Sequence, residues 1–153
     1  MKFWAERSYP YALGVLAGLT SLASHRLSVL DAVQSSKILN NVLGISAVGL
    51  GFWSTAATLL LAVEHKSLIR RLKKGPHFRI LVGYIFAAIT WLAVLMALTL
   101  LGTFFAEKIR STLSLNHWFG TLWLAALVVA LTATFRAYYI LSKVLKIAAA
   151  DEE

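Results

Sequence analysis

Two long stretches without charge constrain the fold of this chain more than any other feature. Residues 39–63 and 80–105 contain no Asp, Glu, Lys or Arg, and they are 25 and 26 residues long. A helix that crosses the hydrocarbon core of a bilayer needs about 20 apolar residues. The two stretches therefore predict two transmembrane helices.

Two shorter apolar stretches, residues 9–25 and 118–136, predict a first and a fourth span. Pro10 is expected in the first turn of the first helix, where a missing N–H is tolerated. The fourth stretch ends at Arg136 with Tyr138 and Tyr139, a pattern typical of a membrane interface, and its helix is expected to continue toward Lys146. A cleavable signal peptide is the competing interpretation of the first stretch, because Lys2 and Arg7 precede the apolar run.

The whole chain, residues 1–153, is expected to form one all-α domain: a polytopic integral membrane protein with four transmembrane helices in an antiparallel bundle. Charged residues make up 14% of the sequence, against roughly 25% in soluble domains. The second helix is expected to extend into the cytoplasm until the Gly75-Pro76 pair stops it. Residues 64–79 are called the basic hook below.

The distribution of Lys and Arg predicts the orientation. Eleven of the 15 basic residues fall on the side of the chain ends and the basic hook, and four fall on the other side. Short cytoplasmic loops accumulate basic residues. Both termini are therefore expected in the cytoplasm, with the protein in a bacterial inner (plasma) membrane.

Catalytic and metal chemistry are not expected. The chain has no cysteine, which excludes thiolate ligands and nucleophiles, and its predicted spans carry no ionisable group at mid-depth, where proton relays and ion paths usually have one. Glu64 and Arg136 are predicted to form a pair at the inner boundary. The four histidines lie at the ends of spans, so no haem, metal or other cofactor is predicted.

Small residues recur at helical spacing in every predicted span. Such faces let helix backbones approach closely, either within one bundle or between subunits, and the sequence leaves both possibilities open. The candidate packing or oligomer residues are Gly14, Gly18, Gly44, Ala47, Gly51, Thr55, Thr58, Gly83 and Ala87. Trp53 and Trp91, near the middle of their spans, are expected to be buried packing anchors.

The basic hook is the candidate partner-binding segment. Anionic lipid headgroups or an acidic cytoplasmic protein would fit its charge, whereas nucleic acid is not expected because aromatic residues do not alternate with the basic ones. The residues concerned are Lys66, Arg70, Arg71, Lys73, Lys74 and Arg79.

The central part of the chain resembles a family of small bacterial four-helix membrane proteins. The resemblance covers residues 40–101 and rests on Asn40-Asn41, Ile45-Ser46, Gly51-Phe52, Thr55, residues 69–74 and Tyr84. Some of these proteins look like membrane components of anti-phage defence operons, of the Kiwa membrane subunit type. The resemblance implies a membrane-embedded oligomer that works beside a cytoplasmic partner.

The sequence thus favours a non-enzymatic inner-membrane protein. It is expected to form a homo-oligomer, to anchor a cytoplasmic protein, or to do both, and to sense or execute a membrane event such as ion leakage. A small-solute transporter or ion channel is the first alternative, and a holin-like lysis protein is the second.

Overall fold

A computed structural model of the chain describes residues 2–24, 34–62, 76–105 and 113–150. Within these ranges it describes the side chains of residues 8–22, 37–60, 80–105, 118–143 and 146. The described residues form four α-helices: α1 (Lys2–Ser24), α2 (Gln34–Ala62), α3 (Pro76–Phe104) and α4 (Leu113–Ala150). The expectation of an all-helical chain is confirmed.

Three of these helices are long and apolar enough to cross a membrane, over Lys37–Leu60 in α2, Ile80–Phe104 in α3 and Trp118–Lys143 in α4. These spans agree with three of the predicted ones to within a few residues, except that the α4 span extends seven residues beyond Arg136. The role of α1 as a fourth span stays a prediction. The predicted extension of α2 beyond Ala62 falls outside the described residues.

Proline has different positions in α1 and α3. Pro76 begins α3, where its fixed φ angle and missing N–H suit the first turn. Pro10 instead lies inside α1, because that helix begins eight residues earlier, at Lys2. The expectation that Pro10 belongs to the first turn was therefore wrong. A proline inside a membrane helix is tolerated when neighbouring groups satisfy the freed carbonyl.

The helices lie in the spatial order α2, α3, α4, α1. In the described part of the chain the extensive contacts join α2 to α3, α3 to α4, and α4 to α1. A core of apolar side chains fills the α2–α3 and α3–α4 interfaces: Leu39, Trp53, Leu81, Ile85, Ala88, Leu92, Leu95, Trp123, Ala126, Ala130, Ala133 and Ala137. The two edge helices, α2 and α1, thus each have one extensive neighbour.

Candidate functional site: helix-contact surfaces

The small residues of α1 pack against α4 within the chain. Gly14 and Gly18 are both buried. A Cβ atom built on Gly14 would lie 2.3 Å from Val129 Cγ2 and 3.2 Å from the Ala125 carbonyl oxygen. Real Cβ atoms do not approach other atoms at 2.3 Å, so glycine is what permits this crossing of α1 and α4.

The small residues of α2 have the opposite surroundings. A Cβ atom on Gly44 or Gly51 would meet nothing within 4 Å, apart from the helix itself. Five members of the predicted stripe are exposed: Gly44, Ala47, Gly51, Thr55 and Thr58. These five residues are called the α2 open face below. Trp53 and Ser46 lie on the opposite side of α2, toward α3, and are 2% and 1% exposed.

The hydroxyl groups of the α2 open face are satisfied by their own helix. Thr55 Oγ1 donates to the Gly51 carbonyl oxygen at 2.8 Å, and Thr58 Oγ1 donates to the Ser54 carbonyl oxygen at 2.9 Å. The face therefore presents methyl groups and small side chains without hydroxyl hydrogens that need an outside acceptor. Such a surface suits close, dry contact with another helix.

On α3 the two predicted small residues differ in exposure. Gly83 is exposed and a Cβ there would meet open space, whereas Ala87 is half-buried.

The contact between α3 and α4 includes a buried hydrogen-bonded pair. Trp123 Nε1–H of α4 donates to Thr99 Oγ1 at 2.9 Å, and the Thr99 hydroxyl donates to the Leu95 carbonyl oxygen at 2.7 Å. Sequence analysis did not identify Trp123 and Thr99 as a pair, because no local pattern connects residues 24 positions apart.

Arg136 of α4 binds a tyrosine of α3. The guanidinium carbon lies 4.0 Å from the centre of the Tyr84 ring, and Arg136 Nη2–H donates a hydrogen bond to the Tyr84 hydroxyl. A cation over an aromatic face is stabilised by the ring quadrupole. Glu64, the predicted partner of Arg136, lies outside the described residues, and so do Lys66, Arg70, Arg71, Lys73 and Lys74 of the basic hook and the side chain of Arg79.

The described residues include no cluster of metal-ligating side chains. Among them no three His, Asp or Glu side chains come together, and the side chains of all four histidines lie outside the described set.

The two tryptophans that were expected to be buried packing anchors differ in burial. Trp53 is buried, whereas Trp91 is half-buried. The Trp91 ring meets the Tyr11 ring edge to face, with centroids 5.9 Å apart.

Comparisons with protein-family models, with curated protein sequences and with solved structures find no match for this chain.

Proposed function

We propose that this chain is a non-enzymatic membrane protein that self-associates through the α2 open face. The observation that carries the proposal is a difference between α1 and α2 in whether another helix covers their small residues. Both helices have small residues at contact spacing, but those of α1 pack against α4, whereas those of α2 face away from the other described helices. Small residues on a membrane helix allow close backbone approach, and in α2 no described residue of the same chain makes that approach.

The packing of α2 favours a partner inside the membrane. Of the apolar stretch that defines each span, 11% is buried in α2, 28% in α3 and 39% in α4. Interfaces between membrane helices are built by van der Waals contact and weak hydrogen bonds, not by exclusion of water. A second copy is the simplest partner, because one face can meet its own copy across a two-fold axis.

Single cysteines test this proposal directly, since the chain has no native cysteine. Ala47→Cys and Gly51→Cys lie on the α2 open face. Ile45→Cys is the matched control, because Ile45 is 66% exposed but points about 100° or more away from Gly44 and Gly51 around the helix. We expect oxidation in native membranes to give a covalent dimer with the first two variants and little with the third. Equal cross-linking of all three, or none at all, would contradict the proposal.

A steric variant supplies an independent measurement. Gly51→Leu places a branched side chain on the proposed contact, and we expect it to reduce the oligomer observed by detergent sizing. Leu50→Ala alters the side of α2 that packs against the core and should leave the oligomer in place. If both variants behave alike in sizing, the α2 open face is not the contact.

The proposal extends to a cytoplasmic partner and to anti-phage defence, as the resemblance implies. The support for a partner is the density of positive charge in residues 66–79, which would steer an acidic protein by complementary potential. A transporter, a channel and a holin remain the alternatives. Ion conductance through the purified oligomer, lost in Gly51→Leu, would favour the channel over the anchoring protein.

A further inference from the structure

An apolar groove runs along α4 between α1 and α3. Its volume is about 340 Å³, and residues of all three helices line it. Ligand pockets in proteins occupy roughly 300–1,000 Å³, so the groove can hold part of a small amphiphilic molecule. The Tyr11–Trp91 ring pair and Val129 mark one end of the groove, and Leu22, Leu98 and Thr121 mark the other.

The Arg136–Tyr84 pair stands in line with this groove. Arg136 follows Val129 by seven residues, which is close to two helical turns, so both side chains lie on one face of α4. Tyr84 precedes Trp91 by the same interval on α3. The guanidinium is therefore positioned about 10 Å along the helix axis beyond the Tyr11–Trp91 end of the groove.

Positive charge continues along α4 from Arg136. Tyr139, Lys143 and Lys146 follow Arg136 within an arc of about 80° around the helix, and Lys143 Nζ lies 4.7 Å from the centre of the Tyr139 ring. The described part of the chain has four Lys and Arg side chains. Three of them are Arg136, Lys143 and Lys146, and the fourth is Lys37 of α2. One end of the groove thus leads to a concentrated cationic and aromatic surface.

We infer that this groove and the Arg136 cluster together bind one anionic phospholipid. The acyl chain lies in the groove, and the headgroup phosphate lies against Arg136 and Lys143. Basic pockets between membrane helices bind anionic headgroups. The guanidinium has five N–H donors, and the Tyr84 hydroxyl takes one hydrogen bond from it. Stacking on Tyr84 fixes the plane of the guanidinium, so the other donors keep a defined direction toward a phosphate.

The ligand class follows from the need to satisfy both the apolar groove and the cations of the Arg136 cluster. A free phosphate would use the cations and leave the groove unfilled, and an uncharged lipid would use the groove and leave the cations without an anion. A phospholipid with a net negative headgroup carries an uncompensated phosphate and an acyl chain in one molecule and satisfies both parts, whereas the choline of phosphatidylcholine already balances its phosphate. The inference does not depend on self-association, because every residue in the site belongs to one copy of the chain.

Native mass spectrometry of the full-length protein in detergent can count bound lipids. Phosphatidylglycerol and phosphatidylcholine with identical acyl chains serve as the two probes. We expect wild type to retain phosphatidylglycerol preferentially. Arg136→Gln should weaken that binding by about fivefold, the contribution of one cation near a headgroup layer. Lys37→Gln removes the same charge from α2 and should leave the binding unchanged.

A second pair of variants tests the groove. Val94 lines it and is 38% exposed, so Val94→Phe should narrow the groove and reduce retention of phosphatidylglycerol. Ile45→Phe enlarges a side chain of α2 that is 66% exposed and lies off the α2 open face, and it should have no effect. This pair also keeps the inference testable if Arg136→Gln fails to fold, which loss of the helical circular dichroism signal would reveal.

Three outcomes would overturn the inference. The first is equal retention of the two lipids by wild type, which would show that the cations do not select the headgroup. The second is an equal loss of binding in Arg136→Gln and Lys37→Gln, which would show a general charge effect. The third is displacement of the lipid by millimolar inorganic phosphate, which would show that the site takes the anion alone.

Discussion

Glycine at position 14 is the residue on which the α1–α4 contact depends most directly. We expect Gly14→Ala to lower the stability of the protein in detergent by about 1–3 kcal/mol, the usual effect of overpacking a close contact. The new methyl group would meet Val129, which is β-branched and therefore stiff at χ1 in a helix. Because Val129 cannot easily change rotamer, the two helix backbones must separate.

Gly83→Ala is the matched control for this prediction, because Gly83 is exposed and lies outside the α2 open face. A methyl group there meets open space, and alanine is the better helix former by about 1 kcal/mol, so thermal unfolding should show an unchanged or higher midpoint. Gly18→Ala should lie between the two, because its Cβ would make ordinary contacts of 3.6 Å and 3.7 Å with α4. A common midpoint for Gly14→Ala and Gly83→Ala would refute the assignment of the close crossing to Gly14.

At the scale of helix pairs, the contact between α3 and α4 ends in the Arg136–Tyr84 pair. We expect Arg136→Gln and Tyr84→Leu to be coupled in thermal unfolding, with an interaction energy of roughly 0.5–3 kcal/mol, as for other residues in direct contact. The double variant should then lose less stability than the sum of the two single variants. Simple additivity would show that the stacked guanidinium contributes nothing to the helix contact.

The predicted pair of Glu64 with Arg136 can be measured in the same way. Glu64→Gln, combined with Arg136→Gln, gives a second double-mutant cycle that reports whether the carboxylate shares the guanidinium with Tyr84. Coupling in both cycles would mean that Glu64 and Tyr84 both contact Arg136. Coupling with Tyr84 alone would confine the contact to α3 and α4.

The sequence predicts the helices better than it predicts how they meet. Absence of charge over residues 39–63 and 80–105 is a direct physical requirement for crossing hydrocarbon, and α2 and α3 have helical spans there. Gly14 and Gly44 look equivalent in the sequence, yet one is covered by α4 and the other faces outward. In lipid, an apolar side chain can face a helix or an acyl chain at similar cost, so periodicity does not distinguish the two. The pairing of Tyr84 with Arg136, 52 positions apart, likewise has no local signal.

At the scale of the whole molecule, the orientation in the membrane is the prediction that links the helices to the cell. Single cysteines at Ser35 and Ser111 should react with an impermeant thiol reagent in intact cells, and one at Ser67 should react only after lysis. The physical reason is the excess of basic residues on the side that includes the basic hook. Labelling of Ser67→Cys before lysis would reverse the orientation.

The spatial order of the helices also has a consequence for biogenesis. The ribosome makes Val129 115 residues after Gly14, and at roughly 5–20 residues per second this takes about 6–23 s. During that interval the first helix lacks the only extensive neighbour that the described part of the chain provides, whereas α2 and α3 can pair as a hairpin as soon as both have been made. If α1 is the predicted fourth span, its glycine-lined side therefore lies against lipid or the insertion machinery until the last helix has been made.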